Sequence, residues 1–129
     1  MGRTRLIFFS RLKFPFPTAQ PHKMTKKLNK LVCCADGFSM SVQANPTAYC
    51  EPRNATGPYT EVEIGYPNER EPLLLSYAEN PNTPTDTVYA WVPKTVVTAV
   101  IVRHGGMVSG TLPNGFPYLY ALGLVEEPN

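Results

Sequence analysis

The sequence predicts a small α+β domain: a mainly antiparallel sheet of three to five strands with one helix, at about residues 93–104, packed on it. Three observations carry that expectation. Apolar and polar residues alternate with period two over Phe38–Gln43 and again over Tyr59–Tyr66. Val96, Val97, Val100 and Ile101 repeat at i, i+1, i+4 and i+5, a single apolar stripe along a helix. Fourteen prolines in 129 residues punctuate the chain at short intervals, which disfavours long helices and an uninterrupted sheet.

Taken in order, residues 31–35 form a short apolar run, and Asp36-Gly37 supplies a turn dipeptide before the first alternating stretch. This predicts a strand–turn–strand unit with Phe38, Met40 and Val42 on one face. Asn45-Pro46 ends it, and a polar loop follows from Glu51 to Pro58. Residues 59–66 are the clearest strand, placing Val62, Ile64 and Tyr66 on a buried face and Glu61 and Glu63 on a wet one. Glu71 to Glu79, with Pro72 suited to a first helical position, predicts a short helix. Residues 80–86 are a loop with two prolines, and 87–92 are β-branched and aromatic enough for a strand. The helix at 93–104 opens on Pro93. It ends with Arg103 and His104 against the C-terminal dipole and Gly105-Gly106 as a left-handed stop. Its β-branched residues lower helix propensity, so packing on the sheet must hold it. The apolar stretch 116–125 predicts a last strand.

Composition and charge narrow the function classes. A hydrophobic fraction of 43% with 17% charged residues suits a folded domain and argues against wholesale disorder. The net charge of +2 conceals an asymmetry. Residues 1–30 carry eight cationic side chains and no acid, whereas the other 99 carry four cationic and ten acidic ones, so an arm of +8 precedes a body of −6. We therefore divide the chain into a basic, proline-punctuated arm (1–29) and a single domain (30–129). Met24 offers an alternative start that would remove Arg3, Arg5, Arg11, Lys13 and Lys23. Residues 6–9 give only a four-residue apolar run, short of the roughly 7–15 of a secretory signal and the roughly 20 of a membrane span. Pro15, Pro17 and Pro21 break the amphipathic helix that a transit peptide needs. The expected location is the cytoplasm.

Chemistry-bearing residues are few. Cys33, Cys34 and Cys50 with His104 offer three sulfurs and one nitrogen to zinc, but structural zinc sites draw ligands from pairs spaced by two to four residues. Adjacent strand residues also point to opposite faces. Small apolar thiols in a reducing compartment explain the cysteines better. A cysteine nucleophile needs a base, and only His22 and His104 exist; a helix C-terminus favours the protonated form of His104 and makes it a poor base. Glu61 and Glu63 share a strand face, yet nothing indicates the burial that acid–base work requires. Gly105-Gly106 follows a helix instead of opening one, so it is not a phosphate loop. Asn54-Ala55-Thr56 matches a glycosylation sequon without a secretory context. No catalytic residue and no cofactor is expected.

Two features point to binding. Tyr49, Arg53, Asn54 and Tyr59 bring two rings, a planar cation and an amide into one proline-stiffened stretch, the residue types of binding hot spots. The arm places Arg3, Arg5, Arg11, Lys13, Lys26 and Lys27 among phenylalanines, a composition suited to phosphate contacts and base stacking. The stretch Gly37–Gln43, then Tyr59–Tyr66, then Val88–Gly106 with its Val92-Pro93 entry and His104-Gly105-Gly106 exit, resembles small uncharacterised bacteriophage proteins over residues 30–108. That resemblance implies a phage-encoded protein in a host cytoplasm and assigns no residue a role. The expected function is a small non-enzymatic accessory module that recognises a protein or small ligand through its proline-rich loops. The alternatives are a nucleic-acid binder using the arm and a cysteine-dependent or zinc-binding protein.

Overall fold

The structure is a computed structural model and describes residues 28–122. Its strands are β1 (Val32–Cys34), β2 (Ser39–Gln43), β3 (Glu61–Gly65), β4 (Val88–Pro93) and β5 (Met107–Ser109). A 3-10 helix spans Pro72–Tyr77, and one α-helix, α1, spans Lys94–Arg103. The strands form one sheet in the order β4-β3-β2-β1-β5, every neighbouring pair antiparallel. The chain reaches β4 at one edge, and α1 then leads it to β5 at the other. The small α+β fold read from the sequence is the fold observed.

Local chemistry explains the elements. Asp36 closes the β1–β2 hairpin: its Oδ1 accepts from the Phe38 N–H at 2.9 Å, while Gly37 takes a φ of +97°. This turn sets the register that sends Phe38, Met40 and Val42 inward, all buried, as the alternation predicts. Val62 and Ile64 lie in the same core, with Tyr89 and Val92 of β4 and Val97, Val100 and Ile101 of α1. The apolar stripe therefore seats α1 on the sheet face, with Val96 only partly buried. The helix ends in a Schellman arrangement: Gly106 N–H donates to Ile101 O at 2.9 Å and Gly105 N–H to Val102 O at 3.0 Å. Gly106 has a φ of +93°, and a Cβ there would stand 2.7 Å from the Ala121 nitrogen, so only glycine fits.

Two expectations need correction. Tyr66 does not continue the buried face of β3; it is half exposed with a φ of +46°, because the chain turns away before Pro67. The described part of 116–125 is not a strand. Pro117 cannot donate to a ladder, and the stretch contributes an isolated bridge from Tyr120 to Met107 instead. Among the described residues the last strand is β5, three residues long and too short for periodicity to reveal. The short helix expected at 71–79 is 3-10 in type, with Glu71 as its N-cap accepting from the Leu73 N–H.

Asn29, expected in the arm, already belongs to the domain. Its backbone N–H donates to Gln43 Oε1 at 3.0 Å and its Nδ2 to Val42 O at 3.1 Å. Lys30 N–H donates to Thr111 Oγ1. No helix among the described residues is long and apolar enough to cross a membrane.

Candidate functional site

Two places bring polar and aromatic groups together, on different parts of the sheet. The first is the loop 49–59 and the segment of β4 beside it. Val62 pairs with Val92 and Ile64 with Tyr89, so Ala90 and Trp91 together oppose Glu63. That extra residue is a β-bulge, a device that re-aims side chains. Trp91 takes a φ of +50°, a region that bulky residues rarely occupy, and the residue is 45% exposed. The loop holds it there. Trp91 N–H donates to Tyr49 O at 3.1 Å, and the two rings lie 5.2 Å apart with a 39° tilt. Tyr49 N–H donates in turn to Glu63 Oε1 at 3.0 Å.

Carboxylates dominate the surroundings of this pair. Burial pushes the Tyr49 phenol above its ordinary value, the charges of Glu79 and Glu63 add to the rise, and Arg53 opposes it. Burial likewise raises the Glu63 carboxyl, against the pull of the Tyr49 N–H, with Glu79 repelling its charge. Arg53 is exposed and donates through Nε to Ala48 O at 3.1 Å.

Of the four residues expected to bind, Tyr49 and Arg53 thus meet on this face. Asn54 and Tyr59 brace the loop. Asn54 Oδ1 accepts from the N–H groups of Thr56 and Gly57 at 3.1 and 2.7 Å, an Asx turn. Tyr59 is buried, and its hydroxyl donates to Asn54 O at 2.8 Å. Beyond the loop lies a cleft of about 240 Å³, lined among others by Asn29, Gln43, Asn45, Thr56 and Asn114. Most of its amide groups are engaged within the chain. Gln43 exchanges bonds with the Asn29 backbone, Asn45 Oδ1 accepts from Thr47, and Asn114 Nδ2 donates to Thr56 O. The cleft is a braced seam.

The second place is the end of α1. His104 caps the helix with its backbone, while its side chain turns inward and stacks on Phe38 at 4.1 Å between ring centroids. Its Nδ1 lies 2.6 Å from Asp36 Oδ2, and its Nε2 lies 2.6 Å from Glu71 Oε1. Glu71 is fully buried, and Arg103 Nε approaches the same oxygen at 3.2 Å. Burial pulls the imidazole toward neutrality, but the hydrogen bonds and charges of Asp36 and Glu71 outweigh it and hold the ring above its ordinary value. Both ring nitrogens face carboxylate oxygens, and in the protonated form both donate, leaving no lone pair for base catalysis. The capping role expected of His104 is played by its backbone, while two carboxylates face its ring and favour the protonated form.

The cysteines do not join His104. Among the described residues the one grouping of metal-ligating side chains is Asp36, Glu69 and His104, whose ligand atoms lie within 4.8 Å of one another. All three thiols are free. Cys50 is buried with its Sγ 3.2 Å from Asn45 O, and Cys34 is pushed up to about 11 by burial, then by the charges of Asp36 and Cys33. A thiol so raised is a poor nucleophile near neutral pH. The arm residues Arg3, Arg5, Arg11, Lys13, Lys26 and Lys27 lie outside the described residues. Sequence reasoning missed Trp91, which looks like any strand aromatic, and Asp36 and Glu71, which look like a turn residue and a helix start. No family model, no curated protein and no solved structure matches the chain.

Proposed function

We propose that the protein is a small non-enzymatic interaction module that recognises a Lys- or Arg-bearing peptide segment of a partner protein on the Tyr49–Trp91 face. The observation that carries this reading is Trp91 itself. An exposed indole held at a φ of +50° by a bulge and a loop hydrogen bond costs backbone strain, on the order of 1–3 kcal/mol, and such strain gathers at functional positions. Tryptophan, tyrosine and arginine are also the residues on which binding energy concentrates.

The choice of a cationic ligand follows from the neighbours. Paired aromatic faces attract ammonium and guanidinium groups, and Glu79 adds negative potential at the same place, which Arg53 offsets only in part. Over residues 28–122 there are eight acidic and five basic side chains, a net charge of −3 that steers a basic segment inward. Nucleic acid meets the opposite field on this domain.

Selection of a displayed random-peptide library on the full chain tests the proposal. Enriched sequences should be rich in Lys or Arg, and their binding should fall at least about tenfold, roughly 1.4 kcal/mol, with Trp91→Ser or Tyr49→Ala. Binders indifferent to both changes, or enriched in acidic residues, would refute it.

A further inference from the structure

His104, Asp36 and Glu69 come from three separate elements: the end of α1, the β1–β2 turn and the loop after β3. His104 Nδ1 lies 2.6 Å from Asp36 Oδ2 and 3.8 Å from Glu69 Oε2. A tetrahedral ion with bonds of about 2.1 Å requires ligand atoms roughly 3.4 Å apart. The Asp36 oxygen would therefore retreat by about 0.8 Å and the Glu69 oxygen advance by about 0.4 Å, taking that ideal separation as the target. Both carboxylate side chains are half exposed, 49% and 55%, which leaves them room for these adjustments.

The imidazole, in contrast, is fixed. It is buried against Phe38, and the fully buried Glu71 holds Nε2 from behind. Asp36 is also pre-aimed, because the Phe38 N–H occupies its Oδ1 and leaves Oδ2 toward His104. A ligating histidine whose second nitrogen donates to a carboxylate is the usual outer-sphere arrangement of protein metal sites. The charges agree as well. An ion that displaces the Nδ1 proton exchanges one positive charge for two, within a cluster of three carboxylates that Arg103 also approaches.

We propose that Asp36, Glu69 and His104 bind one divalent transition-metal ion of the zinc class, with Glu71 orienting His104 from the outer sphere. One imidazole nitrogen with two carboxylates suits Zn²⁺ and its neighbours, whereas Mg²⁺ and Ca²⁺ prefer all-oxygen shells. The ion would pin the β1–β2 turn and the loop after β3 to the end of α1. It uses none of the three cysteines and is independent of the Tyr49–Trp91 face.

The test is calorimetric titration of the metal-stripped, tag-free full chain with Zn²⁺, alongside Glu69→Gln and Cys33→Ser. The wild type should bind one ion per chain and melt higher with Zn²⁺ than with equal Mg²⁺. Glu69→Gln should melt like the wild type in chelator yet bind Zn²⁺ at least about tenfold more weakly. Cys33→Ser should bind as the wild type does. No saturable binding, unchanged affinity in Glu69→Gln, an equal shift with Mg²⁺, or loss of binding in Cys33→Ser would each overturn the proposal.

Discussion

Replacing Glu71 probes a fully buried carboxyl group at the end of α1. Its carboxylate is fully buried and accepts from His104 Nε2 at 2.6 Å, the Leu73 N–H at 2.8 Å and Arg103 Nε at 3.2 Å. Glu71→Ala removes all three and leaves a buried imidazole hydrogen-bonded to Asp36, with Glu69 at 3.8 Å. Breaking one side of a buried ion pair costs about 3–5 kcal/mol. The lost cap is worth about 1 kcal/mol by itself, though it overlaps with the first figure. The Arg103 contact adds little, because that side chain is half exposed. A domain of this size holds roughly 5–15 kcal/mol in total, so Glu71→Ala should remove about a fifth of its stability or more. Glu71→Gln keeps the shape and an acceptor but loses the charge, and should cost about 1.5–3 kcal/mol. Urea unfolding followed by circular dichroism at pH 6 in chelator measures both. A cost below about 1 kcal/mol for Glu71→Ala would refute the view that this network holds the helix end to the hairpin.

The same network predicts a pH profile. The folded value of His104 is raised, so its contribution is complete below the ordinary 6.5 and is lost as pH rises through the folded value. The folded value of Asp36 is lowered, chiefly by the Phe38 N–H, so its contribution is present above the ordinary 3.8 and is lost as pH falls through the folded value. The stability gap between wild type and His104→Gln in chelator should therefore be widest between those two values and narrow above pH 6.5; a gap constant from pH 5 to 9 contradicts the assignment. Gly106→Ala should destabilise by more than about 1 kcal/mol, since a Cβ would meet the Ala121 backbone at a φ of +93°, and a neutral effect in thermal melts would argue against the Schellman end. A thiol reagent at pH 8 should label only Cys33 rapidly in the folded chain and all three cysteines in denaturant, because Cys34 and Cys50 are buried. Rapid labelling of two or three would place a second thiol at the surface.

How much was legible follows from the range of each interaction. Val62 and Ile64 declare β3 through local alternation, and the Pro93 entry, the valine stripe and Gly105-Gly106 declare α1 almost to the residue. Those signals lie within a single stretch of fourteen residues or fewer. Tyr66 fits the same alternation and departs from it only because the chain turns before Pro67. His104 meets Asp36 across 68 residues and Glu71 across 33, and no spacing rule links them. The hot-spot composition of loop 49–59 identifies the segment but not the role of each residue. Tyr59 has the same residue type as Tyr49, yet one is a core side chain and the other packs beside an exposed indole. The bulge that exposes Trp91 depends on the register of β3 against β4, a pairing the sequence does not print.

Trp91 is the only tryptophan of the chain, so its indole reports on the proposed recognition face without labelling. Titration of the ¹⁵N-labelled full chain with a Lys/Arg-bearing hexapeptide, and separately with its glutamate counterpart, tests the central claim most directly. The account predicts saturable shifts of the Trp91 indole N–H and of the Tyr49 and Arg53 amides with the cationic peptide alone. Shifts that bypass Trp91, or that appear equally with the glutamate peptide, would contradict it.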